Sequence, residues 1–371
     1  MIVVVTGQVG LDKAQFIQQV VEMASTEGHQ IISYNVGQMM YSEAPDVAPG
    51  RILDLPLSRL NGLRRSVFKD ILARKATAPH MIVNTHATFR WRHGLFYAFD
   101  YDQMKKLDAD LYVSVVDNIE RVHWRLTRDE HTDHTLKDLM VWREEEILAT
   151  ELLAQIVRGH GHFYICSRGV DGTAARTLAG LMLHADQKKV YLSFPMSHLT
   201  QEGSCQALAE VEAFRREMKR HFICFDPGDV DEKHLCNPAL KAAEEGKRVL
   251  EFGPSSQKAL LETSQLLEII PDIDGQIYAR DFKLIDQSDM IISLVPELDG
   301  GRPALASGVE RELQHAHEAT KEVFVIWRPK VEPSPFVTQT ATKVFRSLQE
   351  AVDFFLGEGY CPALSAGSLF G

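Results

Sequence analysis

The sequence predicts a mixed α/β protein organised as two domains, and three observations carry that expectation. At 371 residues the chain exceeds the roughly 100–200 residues of one ordinary domain. Two segments begin alike: Ile2–Thr6 runs into Gly7 and Lys189–Ser193 into Phe194, each a short apolar, partly β-branched stretch that enters a turn and then an amphipathic helical pattern. Short apolar runs then alternate with helical periodicity along both halves. Parallel sheets covered by helices on both faces require this alternation, because strands buried on both sides read as continuous apolar runs.

In the first half the strands are expected at Ile2–Thr6, Met81–Asn84, Leu111–Val116 and Phe163–Cys166. In the second they are expected at Lys189–Ser193, Phe222–Phe225, Met290–Val295 and Val323–Trp327. The short polar stretch Leu183–Lys188 commits to neither element, so the boundary is placed near residue 186, with domains at 1–182 and 189–371. Helical runs are read around Leu240–Glu245 and Gln257–Leu267. No internal repeat or low-complexity tract is present.

Composition narrows the function classes. With 45% hydrophobic and 25% charged residues, the chain is globular rather than disordered or collagen-like. Its 51 acidic against 40 basic residues give a formal charge of −11, which repels a nucleic-acid backbone unless a basic patch intervenes, and none stands out. Cys166, Cys205, Cys224, Cys236 and Cys361 lack the paired spacing of zinc or redox motifs, so reduced thiols and a cytoplasmic protein are expected. The apolar start Ile2–Val5 is too short for a signal peptide or a membrane span. The histidine pairs His131/His134 and His160/His162 read as solvated loop residues, and neither a metal nor a cofactor is expected.

A phosphate-binding loop needs glycines that turn backbone amides toward the anion, a lysine for the terminal phosphates, and a hydroxyl for magnesium. The segment Gly7-Gln-Val-Gly10-Leu-Asp12-Lys13-Ala14 keeps Gly7, Gly10 and Lys13 as candidate nucleotide-binding residues. Asp12 replaces the second required glycine, and Ala14 replaces the hydroxyl. A carboxylate about 5 Å from a phosphate charge costs roughly 3 kcal/mol at an effective dielectric of 20. Together with Tyr34–Met40, Val83-Asn84-Thr85-His86-Ala87-Thr88 and the arginine-bearing segment Arg121–Glu130, this half resembles the small archaeal-type adenylate kinases. That family's strand-end motif is usually Asp-Thr-His, where this chain has Asn84. The resemblance implies a kinase-like fold without phosphoryl transfer, in which Arg125 and Arg128 remain available to an anion.

The second half resembles the nucleoside 2-deoxyribosyltransferase superfamily, which includes nucleotide N-glycoside hydrolases. The match runs through Val190-Tyr191-Leu192-Ser193, through Arg280–Ile292, and through Ser307-Gly308-Val309-Glu310-Arg311-Glu312-Leu313-Gln314-His315-Ala316. Aligning Glu-Leu-x-x-Ala places the nucleophile at Glu312 rather than Glu310. The resemblance implies Asp281 as its acid/base partner and Tyr191 as the residue that orients Glu312. Ser193, Ser307 and Gly308 become substrate-binding positions. Cleaving an N-glycosidic bond builds positive charge at C1′ while the departing base needs a proton, hence two carboxyl groups. Ala306 stands where the transferases keep an aspartate for the sugar 5′-hydroxyl, which tilts the expectation toward a 5′-monophosphate. The turn Phe194-Pro195-Met196-Ser197-His198 lacks the glycines and arginine of the hydrolases.

The resulting expectation is a P-loop-kinase-like domain followed by a flavodoxin-like, doubly wound domain of the deoxyribosyltransferase type. The second would perform N-glycoside cleavage or base exchange on a nucleotide or nucleoside. A non-catalytic nucleotide sensor or scaffold is the opposing reading, and a nucleoside monophosphate kinase is a third. Expected partners are a small-molecule nucleotide or nucleoside and further copies of the chain, with no nucleic acid and no membrane.

Overall fold

The computed structural model describes residues 1–91, 94–130, 134–169, 173–196 and 205–362. In chain order the strands are β1 (Ile2–Thr6), β2 (Ile31–Asn35), β3 (His80–Asn84), β4 (Thr88–Trp91), β5 (Gly94–Tyr97), β6 (Leu111–Val116), β7 (Phe163–Ser167), β8 (Lys189–Ser193), β9 (Ile223–Phe225), β10 (Val249–Phe252), β11 (Ala259–Glu262), β12 (Met290–Val295), β13 (Glu297–Leu298), β14 (Arg302–Pro303), β15 (Glu322–Trp327) and β16 (Lys343–Phe345). They build a mixed α/β protein with two five-stranded parallel sheets, ordered β2-β3-β1-β6-β7 and β16-β15-β12-β8-β9. Three antiparallel hairpins, β4–β5, β10–β11 and β13–β14, accompany them.

The central strands are the ones buried on both faces. Val3, Val4 and Val5 of β1 are fully buried, as are Ile291, Ile292 and Val295 of β12, which explains why both read as unbroken apolar runs. One core packs Val4, Met81, Val83 and Tyr112 against Val67, Phe68 and Ile71 of the helix Leu57–Arg74. The other packs Val190, Leu192, Ile292, Leu294, Phe324 and Ile326 against Val211, Phe214 and Met218 of the helix Cys205–His221 and Phe355 of the helix Leu348–Gly357.

The chain falls into two compact units, Met1–Ala175 with Val230–Asp274, and Arg176–Asp229 with Gly275–Gly371. Each contains one parallel sheet, but the division is not a single cut near residue 186. Residues 230–274 group with the first unit because the helix Leu136–Val157 holds them there. Arg143, buried, donates to the buried Glu232 carboxylate at 2.5 Å. The Leu136 amide donates to Gln265 Oε1 at 3.0 Å, and Lys137 pairs with Asp272. The helix Thr173–Leu183, by contrast, ties most of its length to the second unit, where Thr177 Oγ1 donates to the Cys224 carbonyl at 3.0 Å.

The helical reading of Gln257–Leu267 is corrected. Ala259–Glu262 is a strand whose residues alternate buried and exposed, and the helix Thr263–Asp286 begins only after it. Alternation at period two is a half-buried strand signature, and over four residues it is easily masked by a neighbouring helix. Among the described residues, no helix is long and apolar enough to cross a membrane.

Candidate functional site

In the second unit, strand alternation selects the site. Successive side chains of a strand point to opposite faces, so Val190 and Leu192 enter the core while Tyr191 and Ser193 share the other face. The helix Ser307–Glu318 packs on β12 and β15, burying Val309, Leu313 and Ala316. Its Glu312 meets the two β8 residues. Tyr191 Oη donates to Glu312 Oε1 at 3.0 Å and Ser193 Oγ donates to Oε2 at 2.6 Å. In the parallel register Ser293 of β12 lies beside Ser193, and Ser293 Oγ donates to Ser193 Oγ at 3.3 Å. The two serine hydroxyls form a chain that ends on one carboxylate oxygen, and the Tyr191 hydroxyl meets the other. Glu310, two residues away, is exposed.

Asp281 reaches the same site from the helix Thr263–Asp286, with only 9% of its surface exposed. Desolvation, and next the Asp281 charge, push the Glu312 carboxyl up to about 8, against the hydrogen bonds from Ser193 and Tyr191 that favour its ionised form. Burial, followed by the Asp281 and Glu312 charges, holds the Tyr191 phenol well above its ordinary range, so it remains a donor. A neighbouring carboxylate charge disfavours ionisation, so Asp281 strengthens the hold of Glu312 on its proton. Their two helices are braced outside the pair. The Phe282 and His315 rings meet edge-on at 4.5 Å between centroids, and His315 Nε2 lies 2.7 Å from Asp286 Oδ1. Tyr191, Ser193, Asp281 and Glu312 are therefore brought together, while Ser293 and the Phe282–His315 brace were not singled out from sequence.

Ser307 and Gly308 form the first turn of the Glu312 helix, whose N-cap is Ala306. The turn after β8 is described through Met196, and Ser197 and His198 lie outside the described residues. Behind that turn, Arg215 stacks on Phe194 with its guanidinium 5.5 Å from the ring centroid. It is already engaged, donating to Asp226 at 2.8 Å and to Asp229 at 3.1 Å, and Lys219 shares both carboxylates.

In the first unit the Gly7–Ala14 segment keeps its tight turn. A Cβ on Gly7, at φ 133°, would lie 2.6 Å from both Leu11 Cδ1 and the Val115 carbonyl; one on Gly10, at φ 86°, would lie 2.8 Å from Leu126 Cγ. Asp12 adopts the left-handed conformation, φ 48°, that a glycine would take without strain. Lys13 is buried, and its Nζ donates to the Gly7 carbonyl at 2.5 Å and lies 3.2 Å from His86 Nδ1. Burial lowers the ammonium to about 7, against the pull of Glu146. Burial and then the Lys13 charge hold His86 well below its ordinary range. Glu146, fully buried and not singled out from sequence, accepts from the Gly7 amide, the Ala87 amide, and the Thr88 amide and hydroxyl at 2.7–2.9 Å.

The expectation that Arg125 and Arg128 stand ready for an anion is corrected. Arg125 donates to Asp117 at 2.6 Å and to the Gly10 carbonyl at 3.2 Å. Arg128 donates to Asp12 at 3.1 and 3.2 Å and to Asp129 at 2.7 and 2.9 Å. The same aspartate that displaced a loop glycine occupies an arginine. His131 lies outside the described residues; His134 packs on Trp142 and His162 bonds the Asp110 carbonyl. Among the described residues, no cluster of three or more ligating side chains suited to a metal is present. No protein-family model matches the chain, and no curated protein matches it.

Proposed function

We propose that the second unit breaks an N-glycosidic bond of a nucleotide or nucleoside, by hydrolysis or base exchange, with Glu312 as nucleophile and Asp281 as acid. The supporting observation is the Glu312 carboxylate, held at both oxygens by Tyr191 and Ser193 beside a second carboxyl group. On this reading the unit is a flavodoxin-like domain of the deoxyribosyltransferase type, and the first unit is a P-loop-kinase-like domain that has lost magnesium and triphosphate handling.

The reaction needs one carboxylate to bond C1′ and one acid for the base, so the pair must carry a single proton. As the C1′–N bond breaks, its electron pair goes to the base nitrogen, which takes the Asp281 proton, while a Glu312 oxygen forms the new bond to C1′. Water or an incoming base then attacks C1′, returning its proton to Asp281 and releasing Glu312. On this reading substrate binding must move the proton from Glu312, whose carboxyl is pushed up to about 8, to Asp281. The positive charge growing at C1′ favours that transfer, because it is repelled by a proton on the facing carboxyl and attracted to its anion.

The test is chromatographic detection of free base from a panel of nucleosides and their 5′-monophosphates. With Ala306 in place of a carboxylate the N-cap position itself brings no like charge to a phosphate, Glu310 being the acidic residue of the first turn, and the helix-start amides point donors at an anion. The monophosphate of each pair is expected to react faster. Equal or faster cleavage of the free nucleoside contradicts the phosphate preference. Absence of base from every member leaves the second unit a binding module without turnover.

A further inference from the structure

The helix Leu136–Val157 carries two apolar faces where a surface helix needs one. Its inner face buries Ile147, Leu153 and Ala154, while Leu148, Leu152 and Ile156 form an outer ridge that stays 48–63% exposed. Steps of four residues set these side chains about 6 Å apart along the helix. The β4–β5 hairpin extends the ridge. Arg90 lies opposite Leu95 across the hairpin and Thr88 opposite Tyr97, and directly opposed residues share a face. On that face Arg90 reaches Glu145 and Thr88 reaches Glu146 of the same helix. Leu95 and Tyr97, 52% and 77% exposed, therefore adjoin the turn that precedes Leu148. At roughly 200 Å² for a large apolar side chain, the five together present about 600 Å² to water, the upper end of the largest patch on an ordinary monomer. The ridge is also neutralised at both ends. Glu145 takes Arg90 at 2.6 and 2.8 Å, and Arg158, past Ile156, takes Asp108 at 2.9 Å. At 3.6 residues per turn, Glu144 and Glu151 fall to one side of the ridge and form its polar rim.

We propose that this face seats a second copy of the chain. The two Leu136–Val157 helices pack antiparallel across a two-fold axis at Leu152, so that Leu152 meets its counterpart and Leu148 meets the partner's Ile156. The ridge complements itself in this arrangement, because Leu148 and Ile156 stand equally far before and after Leu152. Rows of residues four apart interdigitate at a crossing of about 50°, the commonest helix packing, and a two-fold axis uses the same patch on both copies. Glu145 stands as far before Leu152 as Gly159 does after it, so the Arg90–Glu145 pair and its hairpin come over the partner's Gly159. That glycine is open on its own copy, with no atom within 4 Å of a Cβ placed there. A parallel pairing would instead set hairpin against hairpin and bring like helix ends together. Covering the patch on both copies buries about 1,200 Å², the lower bound of a stable specific interface. Each chain carries a formal charge of −11, so two copies repel over much of their surface, and a neutralised apolar face is where they can meet.

Sedimentation velocity of the full chain across micromolar concentrations tests the proposal, with circular dichroism as the folding check. The wild type is expected to associate by a two-fold step in this range. Leu152→Glu sets two like charges together on the axis and should weaken that step on the order of 100-fold or more. Leu148→Glu and Ile156→Lys should each weaken it roughly tenfold. Combined in one chain, they oppose acid to base across the axis and should recover most of the loss, whereas a parallel pairing sets like against like and recovers nothing. All three positions are exposed, and glutamate and lysine are good helix formers, so the variants should fold. If Leu152→Glu nevertheless loses helix content, Leu152→Gln carries the test with a loss of roughly tenfold. A wild type that stays monomeric overturns the proposal. So does association that Leu152→Glu leaves unchanged, which would place the contact on another face. Failure of the combined variant to recover overturns the antiparallel two-fold.

Discussion

Glu312→Gln is expected to abolish base release, with a loss on the order of 10⁴ or more in kcat, the scale seen when a covalent nucleophile is removed. The amide keeps the shape and one acceptor for Tyr191 or Ser193, but it cannot bond C1′ and leave as a carboxylate. The same variant has an opposite effect on stability. Glu312 is pushed up to about 8 in the folded chain, from an ordinary 4.5. Its stabilising proton is therefore fully held below about pH 4.5, and its contribution falls as pH rises toward 8. The wild-type unfolding free energy from urea titration should decline across this window by on the order of 2 kcal/mol, after discounting for solvent reaching a half-buried carboxyl. The Gln variant should lose that part of the slope and be the more stable protein at pH 9. A dead variant with an unchanged slope would mean that Glu312 is not the strained acid of the pair. Asp281→Asn supplies the complementary result. Removing the neighbouring charge lets Glu312 ionise at lower pH, so the rising limb of any residual kcat/KM profile moves to the acid side. A limb that stays in place rejects the coupling between the two groups.

How far the sequence carried this reading follows from the range over which each signal acts. The parallel strands were legible because burial on both faces writes itself as consecutive apolar residues, as in Ile2–Thr6 and Met290–Val295. Tyr191, Asp281 and Glu312 were found as separated segments, yet their distances depend on a strand, a long helix and a short helix converging, which no local pattern encodes. Ser293 was within reach, since it occupies on β12 the register position beside Ser193. The strand β16 and the hairpin β10–β11 were lost because three- and four-residue strands offer too few positions for a period to stand out. The interleaving of the units was invisible for a different reason. It rests on contacts such as Arg143 with Glu232, 89 residues apart, between charged side chains that each read as an ordinary polar helix residue. The fate of Arg125 and Arg128 is similar: a motif shows that an arginine is present, but not that Asp117 or Asp12 already holds it.

Glu146→Leu is expected to destabilise the first unit by roughly 3–6 kcal/mol, because it strands several donors at once. The carboxylate, fully buried on the helix Leu136–Val157, takes the amides of Gly7, Ala87 and Thr88 and the Thr88 hydroxyl. Each buried donor left without a partner costs about 1–3 kcal/mol, and leucine offers none of them an acceptor. One side chain thus pins the loop after β1 to the segment between β3 and β4, the two ends that frame Lys13 and His86. Thr150, one turn along the helix, adds a second tie through its 2.7 Å bond to Thr6. Loosening Gly7 also frees the carbonyl that holds Lys13. Glu146→Gln retains one acceptor oxygen and should cost less than the leucine. The chain has two units and need not unfold in one step, so the readout is the earliest urea transition, followed by hydrogen exchange at Gly7, Ala87 and Thr88. Those three amides should lose protection together in the leucine variant. Independent loss, or a shift below about 1 kcal/mol, would show that the loop and the strand end are held by their own backbones rather than by Glu146.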